Sequence, residues 1–388
     1  DLFALKDSLP ESIDMQTFKD VNFYYVQKPV LRPKVLSECN FIQPGAMYSK
    51  QNVQDTYSSL GRLRILKYSD IRFDEGTRGD SAYVDAYVSL SRNKKQAVSF
   101  EIEGTNSAGD LGAAASVEYT HRNIFRGSEA FSVKLRGAYE SITGVEGYAH
   151  KNYMEYGVES SLSFPEFMFP FLSSDFKRRI KATSEVSAKY NWQIRPEFER
   201  TSASAGWSYR WQGGAKANHR FDLLDVNYIY MPTISSAFGD YLKHMLEVNP
   251  LVCYSYDNLF IVRMGYTFVY NSLGLSKQAG LRNSYTFRFS IEEAGNLLYG
   301  FSKLFNKTPK DGEAFKMGNI DFAQYVKADV DFAKNMVIDE RNSLVFHAGL
   351  GVGIPYGNSK SLPFEKLYFS GGANSVRGWH VRSLGPGS

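Results

Sequence analysis

Ile180-Lys-Ala-Thr-Ser-Glu-Val-Ser-Ala-Lys-Tyr-Asn-Trp-Gln-Ile194 alternates apolar and polar side chains over almost its whole length. One face would carry Ile180, Ala182, Val186, Ala188, Tyr190, Trp192 and Ile194, and the other Lys181, Thr183, Glu185, Lys189, Asn191 and Gln193. A period of two is that of a β-strand, whose successive side chains leave opposite faces. The stretch is longer than the roughly five or six residues usual in a globular strand. It suits the roughly 9–11 residues that cross a bilayer at a tilt.

The pattern recurs on both sides. Phe131, Val133, Leu135 and Tyr139 alternate with Ser132, Lys134 and Arg136; Tyr156, Val158, Leu162 and Phe164 with Glu155, Glu159 and Ser161. Further on, Tyr285, Phe287, Phe289 and Ile291 alternate with Arg288 and Glu292, and Val326, Ala328, Val330 and Phe332 with Lys327, Asp329 and Asp331. A soluble β-sandwich also alternates. Three features favour a membrane-spanning barrel: the strand lengths, the mixed-sign charges suited to a wet lumen, and the aromatics crowding strand ends at Trp207, Tyr209, Trp211, Tyr228 and Tyr230, as in interfacial girdles. Of the 388 residues, 22% are charged and 15% aromatic, with a mean hydropathy of −0.34. No apolar run reaches the roughly 18 residues of a transmembrane helix, whereas a spanning barrel is hydrophilic on average.

About eleven strands are predicted from Gln96 onward, at 96–104, 111–121, 130–142, 153–164, 180–194, 200–211, 220–230, 259–271, 283–293, 324–335 and 343–354. Connections alternate: His121–Ser128 and Asn335–Asn342 are short, and 231–258 and 294–322 are long. Short turns belong on the periplasmic side and long loops outside. In the first strand Val98, Phe100 and Ile102 would face lipid, and Ser99, Glu101 and Glu103 the lumen.

No catalytic constellation is found. The six His lack ligand spacing and there is no Cys cluster. Neither a Gly-x-Ser-x-Gly elbow nor a phosphate loop occurs. The carboxylate pairs Glu155/Glu159 and Asp329/Asp331 read as solvated ion pairs on a lumen face, so neither enzyme activity nor a cofactor is expected. A net charge of +4 is too small and scattered for nucleic acid.

Near the C-terminus, Phe369-Ser-Gly-Gly-Ala-Asn-Ser-Val-Arg-Gly-Trp379, followed by Leu384-Gly-Pro386, combines permissive glycines with one committed cation. Gly371, Gly372 and Gly378 allow positive φ and close backbone approach. Arg377, between Val376 and Gly378 and just before Trp379, needs a carboxylate or carbonyl partner if enclosed. The motif resembles the barrel-plugging loop of the BamA/TamA superfamily of outer-membrane β-barrel assembly and translocation proteins.

Upstream of Gln96 the composition turns mixed α/β, with a strand at Val21–Val26, helices at Pro29–Cys39 and Lys50–Leu63, and strands at Ile65–Phe73 and Tyr83–Ser91. With Ile42-Gln-Pro-Gly-Ala-Met-Tyr-Ser49 ahead of the second helix, this resembles a POTRA domain, the periplasmic module of the same superfamily. Three parts are expected: residues 1–16, the tail of a preceding segment; 17–95, a POTRA domain; and 96–388, the N-terminal part of a transmembrane antiparallel barrel, including a plugging loop at 355–388. The fold class is mostly β.

What the resemblance implies is an outer-membrane insertase or translocator that assembles or exports β-barrel proteins, with its POTRA domain in the periplasm. Its partners would be unfolded outer-membrane protein clients and the lipid bilayer, with room for accessory periplasmic or outer-membrane lipoproteins. Clients would pair with POTRA edges and with the seam strand Gln96–Gly104, marked by Val98, Phe100 and Ile102. Family barrels have about sixteen strands, an even number, so the strands that close the seam and the acidic partner of Arg377 are expected beyond residue 388. If residues 1–16 are the tail of an earlier module, more of the chain is expected ahead of residue 1, along with any leader or lipid-anchor Cys. Cys39 and Cys253 fall on opposite sides of the membrane and cannot pair. A passive outer-membrane channel, which has no reason to carry a POTRA module or the Val-Arg-Gly-Trp loop, is the alternative, and a soluble β-rich binding protein is the third reading.

Overall fold

The computed structural model describes residues 13–379 except 27, 79–80, 108–109, 142–151, 249–255, 257, 275–281, 305–314, 318–319, 364–365, 372–375 and 377. The N-terminal module runs β1 (Ile13–Phe18), β2 (Val21–Val26), α1 (Pro33–Cys39), α2 (Lys50–Leu60), β3 (Leu66–Arg78) and β4 (Ser81–Arg92). Lys19 and Asp20, at φ of 49° and 59°, close the β1–β2 hairpin, since a two-residue turn with positive φ at both positions matches strand twist. This hairpin straddles residue 17, where the sequence suggested a domain start. α1 begins later than expected, with Pro33 in its first turn where a missing N–H costs nothing. α2 is capped by Ser49, whose Oγ accepts from Asn52 N–H, and stops before Gly61. Leu31, Cys39, Leu60, Leu63 and Ile65 form the module's core.

The two hairpins of the module are separate two-stranded sheets. The expected strand-helix-helix-strand-strand order therefore acquires an extra leading strand, and the described residues do not form one continuous POTRA-like sheet.

The remaining chain forms one eleven-stranded antiparallel sheet with neighbours in sequence order. Its strands are β5 (Gln96–Ser107), β6 (Asp110–His121), β7 (Ala130–Ser141), β8 (Asn152–Phe164), β9 (Thr183–Ile194), β10 (Phe198–Gly213), β11 (Ala217–Ile234), β12 (Leu259–Asn271) and β13 (Ser284–Ala294), then β16 (Tyr325–Val337) and β17 (Ser343–Pro355) after the two-residue pair β14 (Lys316–Met317) and β15 (Ile320–Asp321). All eleven predicted strands are present, and β5 and β17 are the two edges. The fifth is shorter than predicted. Ile180 ends helix α3 (Ser174–Ile180) and Lys181 adopts the left-handed conformation, so pairing starts only at Thr183. Helices α4 (Ser236–Val248) and α5 (Asn296–Leu304) occupy the two connections expected to be long loops.

One face of the sheet is ionic. Lys134 and Arg136 on β7 reach across β6 to Glu101 (3.3 Å) and Glu103 (3.0 Å) on β5; Lys189 pairs with Glu159 (3.2 Å) and Arg210 with Glu185 (3.3 Å). The opposite face is apolar, and much of it is exposed. A sheet that leaves its greasy face uncovered has no core of its own on that side and requires a nonpolar medium or partner there.

Antiparallel order fixes which connections share an end. The 122–129 and 165–182 connections lie at the same end as the 214–216 and 338–342 turns, and α4 and α5 lie at the other. The module docks at the first end. Arg32 pairs with Glu129 (3.0 Å), Asn123 Nδ2 donates to Val30 O (2.8 Å), and Ile65 N–H donates to Ser128 Oγ (3.2 Å). A second set involves α3: Lys181 Nζ meets Asp55 Oδ1 at 2.6 Å, Arg178 lies 4.2 Å over the Phe41 ring and donates to Asn40 O, and Arg62 donates to Lys181 O. The 165–182 connection is thus an exception to the expected short turns at the module end.

Candidate edge strand and loop seat

β5 presents a free backbone edge among the described residues. On its apolar side Val98, Phe100 and Ile102 project outward, Phe100 at 77% and Ile102 at 86% exposure. On the other side Glu101 accepts from Ser116 Oγ (3.2 Å) and from Lys134, and Glu103 from Arg136. Among the described residues the strand pairs with β6 and makes two ion pairs with β7 on the ionic face. Unpaired N–H and C=O groups along such an edge form a template for another strand.

At the opposite edge, β17 carries Leu344, Phe346, Leu350, Val352 and Ile354 outward and Gly349, Gly351 and Gly353 on the ionic face. These glycines clear a trough. A Cβ on Gly351 would run into the Tyr368 ring, and one on Gly353 would sit 2.6 Å from Leu362 Cδ1. The segment after β17 occupies that trough and is pinned there by polar contacts. Tyr368 Oη donates to Asp329 Oδ1 (2.5 Å), Lys327 Nζ lies 4.1 Å from the same ring's centre, and Lys366 Nζ pairs with Glu292 Oε1 (2.8 Å).

Glu292 is the hub of a larger network. Arg263 lies 2.7 Å from Glu292, 2.5 Å from Asp225 and 3.8 Å from Asp222, while Tyr325 Oη donates to Glu292 (3.1 Å). Three carboxylates enclosing one guanidinium leave excess negative charge. Lys366 from the loop, together with Arg220 on Asp222 (2.7 Å), offsets it.

Of the motif residues read from sequence, Gly371 is buried with φ +95°, a conformation open to glycine at little cost. Val376 O accepts from Trp379 N–H (3.1 Å), closing a turn around Gly378, and Trp379 is half-exposed. Gly372 and Arg377 lie outside the described residues, as does Cys253; Cys39 is a buried free thiol. Asp329 stood in the sequence only as half of a solvated lumen-face pair with Asp331, and Lys366, Tyr368 and the β17 glycines were not singled out. The period-two Gly349-x-Gly-x-Gly353 was the available signal, because small residues on one face of a strand mark a close approach.

An exposed apolar face, an ionic opposite face and a loop seated on the ionic face are the two-sided pattern of outer-membrane barrel strands. The Omp85 superfamily domain matches residues 95–388, and the chain belongs to that superfamily, whose homologues are bacterial outer-membrane proteins. A search of curated proteins finds no match. Among solved structures, BamA from Haemophilus ducreyi lacking POTRA domains 1–3 superposes with a TM-score of 0.54 at 13% identity, over 97% of this chain and 66% of that one. CdiB from Escherichia coli gives a TM-score of 0.44 at 12% identity, over 90% of this chain and 56% of that one. The chain thus spans about two thirds of the BamA structure's length, and at this identity the likeness is one of fold.

Proposed function

We propose that this protein spans the bacterial outer membrane as part of a β-barrel and acts as an insertase or translocator of outer-membrane proteins. β5 is the edge at which a client strand is received. The observation that carries this reading is the exposed apolar face of the eleven-stranded sheet, in a chain of the Omp85 superfamily: in hydrocarbon an unpaired amide costs several kcal/mol, so a client strand that reaches β5 gains by pairing there. No nucleotide and no catalytic group is required. In the same reading the module at 17–95 is a POTRA domain in the periplasm, supported by its helix pair between hairpins and its docking at the end away from α4 and α5. The loop seated on β17 plugs the lumen, with the Arg377 motif as its second anchor.

The test is site-directed disulfide capture in membranes. With Cys39 and Cys253 replaced by Ser, Ser99→Cys should form adducts with single-cysteine clients during their assembly. Clients that assemble at full yield without an adduct at any position along β5 would refute the edge-receiving role.

A further inference from the structure

The 165–182 connection, the longest at the module end, folds back over the exterior of the sheet. Phe167 packs edge-on against Tyr209 (4.8 Å between ring centres) and Phe169 against the same ring (6.2 Å). Ser184 Oγ donates to Glu166 O (2.7 Å) and accepts from Met168 N–H (2.9 Å). Tyr209 lies on the face opposite Arg210 and Glu185, the apolar exterior, yet it is only 1% exposed because this connection covers it. Around it runs a band of exterior rings: Trp207, Tyr209, Trp211, His219, Phe221, Tyr266 and Phe268, each within 6.4 Å of a neighbour. Such a band belongs where lipid meets water.

From this covered band two further rings point away. Phe171 is 86% exposed and Phe176 45%. The chain then turns basic: α3 carries Lys177, Arg178 and Arg179 in its last turn, followed by Lys181. Arg178 and Lys181 are committed to the module through Asn40, Phe41 and Asp55. Arg179 is exposed and, three residues after Phe176, shares its face of the helix.

We infer that residues 165–181 form an interfacial anchor. Phe171 and Phe176 enter the acyl region at the module end, and Lys177 and Arg179 rest on anionic phospholipid headgroups. The occupant is lipid because the exposed rings continue an exterior apolar surface that the sheet already presents, and because cations directly follow the rings, as in interfacial segments. The same short helix holds the module with one side and the membrane surface with the other, so the anchor fixes the module's height and tilt against the bilayer. This rests on the membrane-spanning reading above and adds a specific lipid contact to it.

The experiment uses the full chain with Cys39→Ser and Cys253→Ser, reconstituted in phosphatidylcholine bilayers containing phosphatidylglycerol. Spin labels are placed at Phe171→Cys, at Val158→Cys on the exterior of β8, and at Gly214→Cys in a turn. The Phe171 label should be more accessible to oxygen than to a water-soluble nickel chelate, as at Val158, while the Gly214 label shows the reverse. A Phe171 label in water with the Val158 label in lipid overturns the anchor; a Val158 label in water overturns the membrane-spanning reading instead. For the headgroup contact, spin-labelled phosphatidylglycerol should be enriched at the protein over phosphatidylcholine at low salt, by up to about fivefold per cation near the surface. The Lys177→Gln/Arg179→Gln variant should lose most of that enrichment. Undiminished enrichment in a folded variant overturns the headgroup half.

Discussion

Lys366, eleven residues beyond the end of β17, places its Nζ 2.8 Å from Oε1 of Glu292 on β13, two strands away in the order β17-β16-β13. The pair ties the loop to the far side of the trough rather than to the strand it leaves. Both side chains are largely buried, so the bond is poorly screened, and Glu292 keeps Arg263 and Tyr325 when the lysine moves away.

Lys366→Met should therefore release the loop without unfolding the sheet. The loss of one charge-assisted hydrogen bond is worth about 1.5–3 kcal/mol. In planar bilayers the variant should show larger and noisier conductance, and residues 356–371 should become sensitive to protease. Unchanged conductance and protection would show that Lys366 does not hold the loop.

Gly351→Leu attacks the same seat from the wall. The new side chain would meet the Tyr368 ring and also displace the bond to Asp329. Overpacking of this kind costs about 1–3 kcal/mol. Pairing of β16 with β17 should survive, because the backbone ladder does not involve this side chain. Amide exchange protection retained in β16 but lost in the loop is the expected signature; equal protection in both would contradict the trough.

A third expectation concerns the plug motif. Arg377→Ala should loosen the loop and lower client assembly, because the acidic group enclosed with the guanidinium would be left without its partner. Combined with Lys366→Met, the effect on protease sensitivity should exceed either change alone if the loop has two separate anchors. A double variant no more sensitive than Lys366→Met would leave Lys366 as the sole anchor.

Acid should weaken the grip of α3 on the module. The hydrogen bond from Lys181 holds the Asp55 carboxyl below its ordinary value of 3.8. A carboxylate depressed in the folded state contributes stability that is present above its unfolded pKa and is lost as pH falls through the folded one. Exchange protection around Asp55 and Lys181 should thus decline only below about pH 4. Asp55→Asn should show the loosened contact already at pH 7; an acid-induced loosening identical in wild type and Asp55→Asn would assign the effect to other groups.

Cys39 should be chemically silent. Burial in the module core pushes its thiol up to about 11, and the thiolate is the reactive form. Iodoacetamide at pH 8 should leave Cys39 unmodified in the native protein and alkylate it after denaturation, read by mass spectrometry. Rapid native labelling would show that the core around α1 is open.

The exterior and ionic faces were legible from Gln96 to Pro355 because a strand's two faces are written directly as alternate residues, a code that breaks at the bulge in β11, where Asp222 and Asp225 both reach the ionic face. The same code misled at Ile180–Ala182. Their alternation stays in phase with β9 although Ile180 closes a helix, and three residues are too few to separate the two periods. The helical stretches of the long connections were obscured for a related reason: short amphipathic segments such as Asn296–Leu304 look like any mixed loop.

What the chain alone determined was local: two-sided strands, the glycine-permitted turns, the motif around Arg377 and, through these, the family. What only the tertiary structure decided was which distant groups meet. Lys366 finds Glu292, Tyr368 lies over Gly351, Phe167 covers Tyr209, and Lys181 reaches Asp55. Each meeting depends on strand register and on the path of a loop across a neighbouring face. Those are set by pairing over the whole sheet, so no window of sequence short enough to read by period contains them.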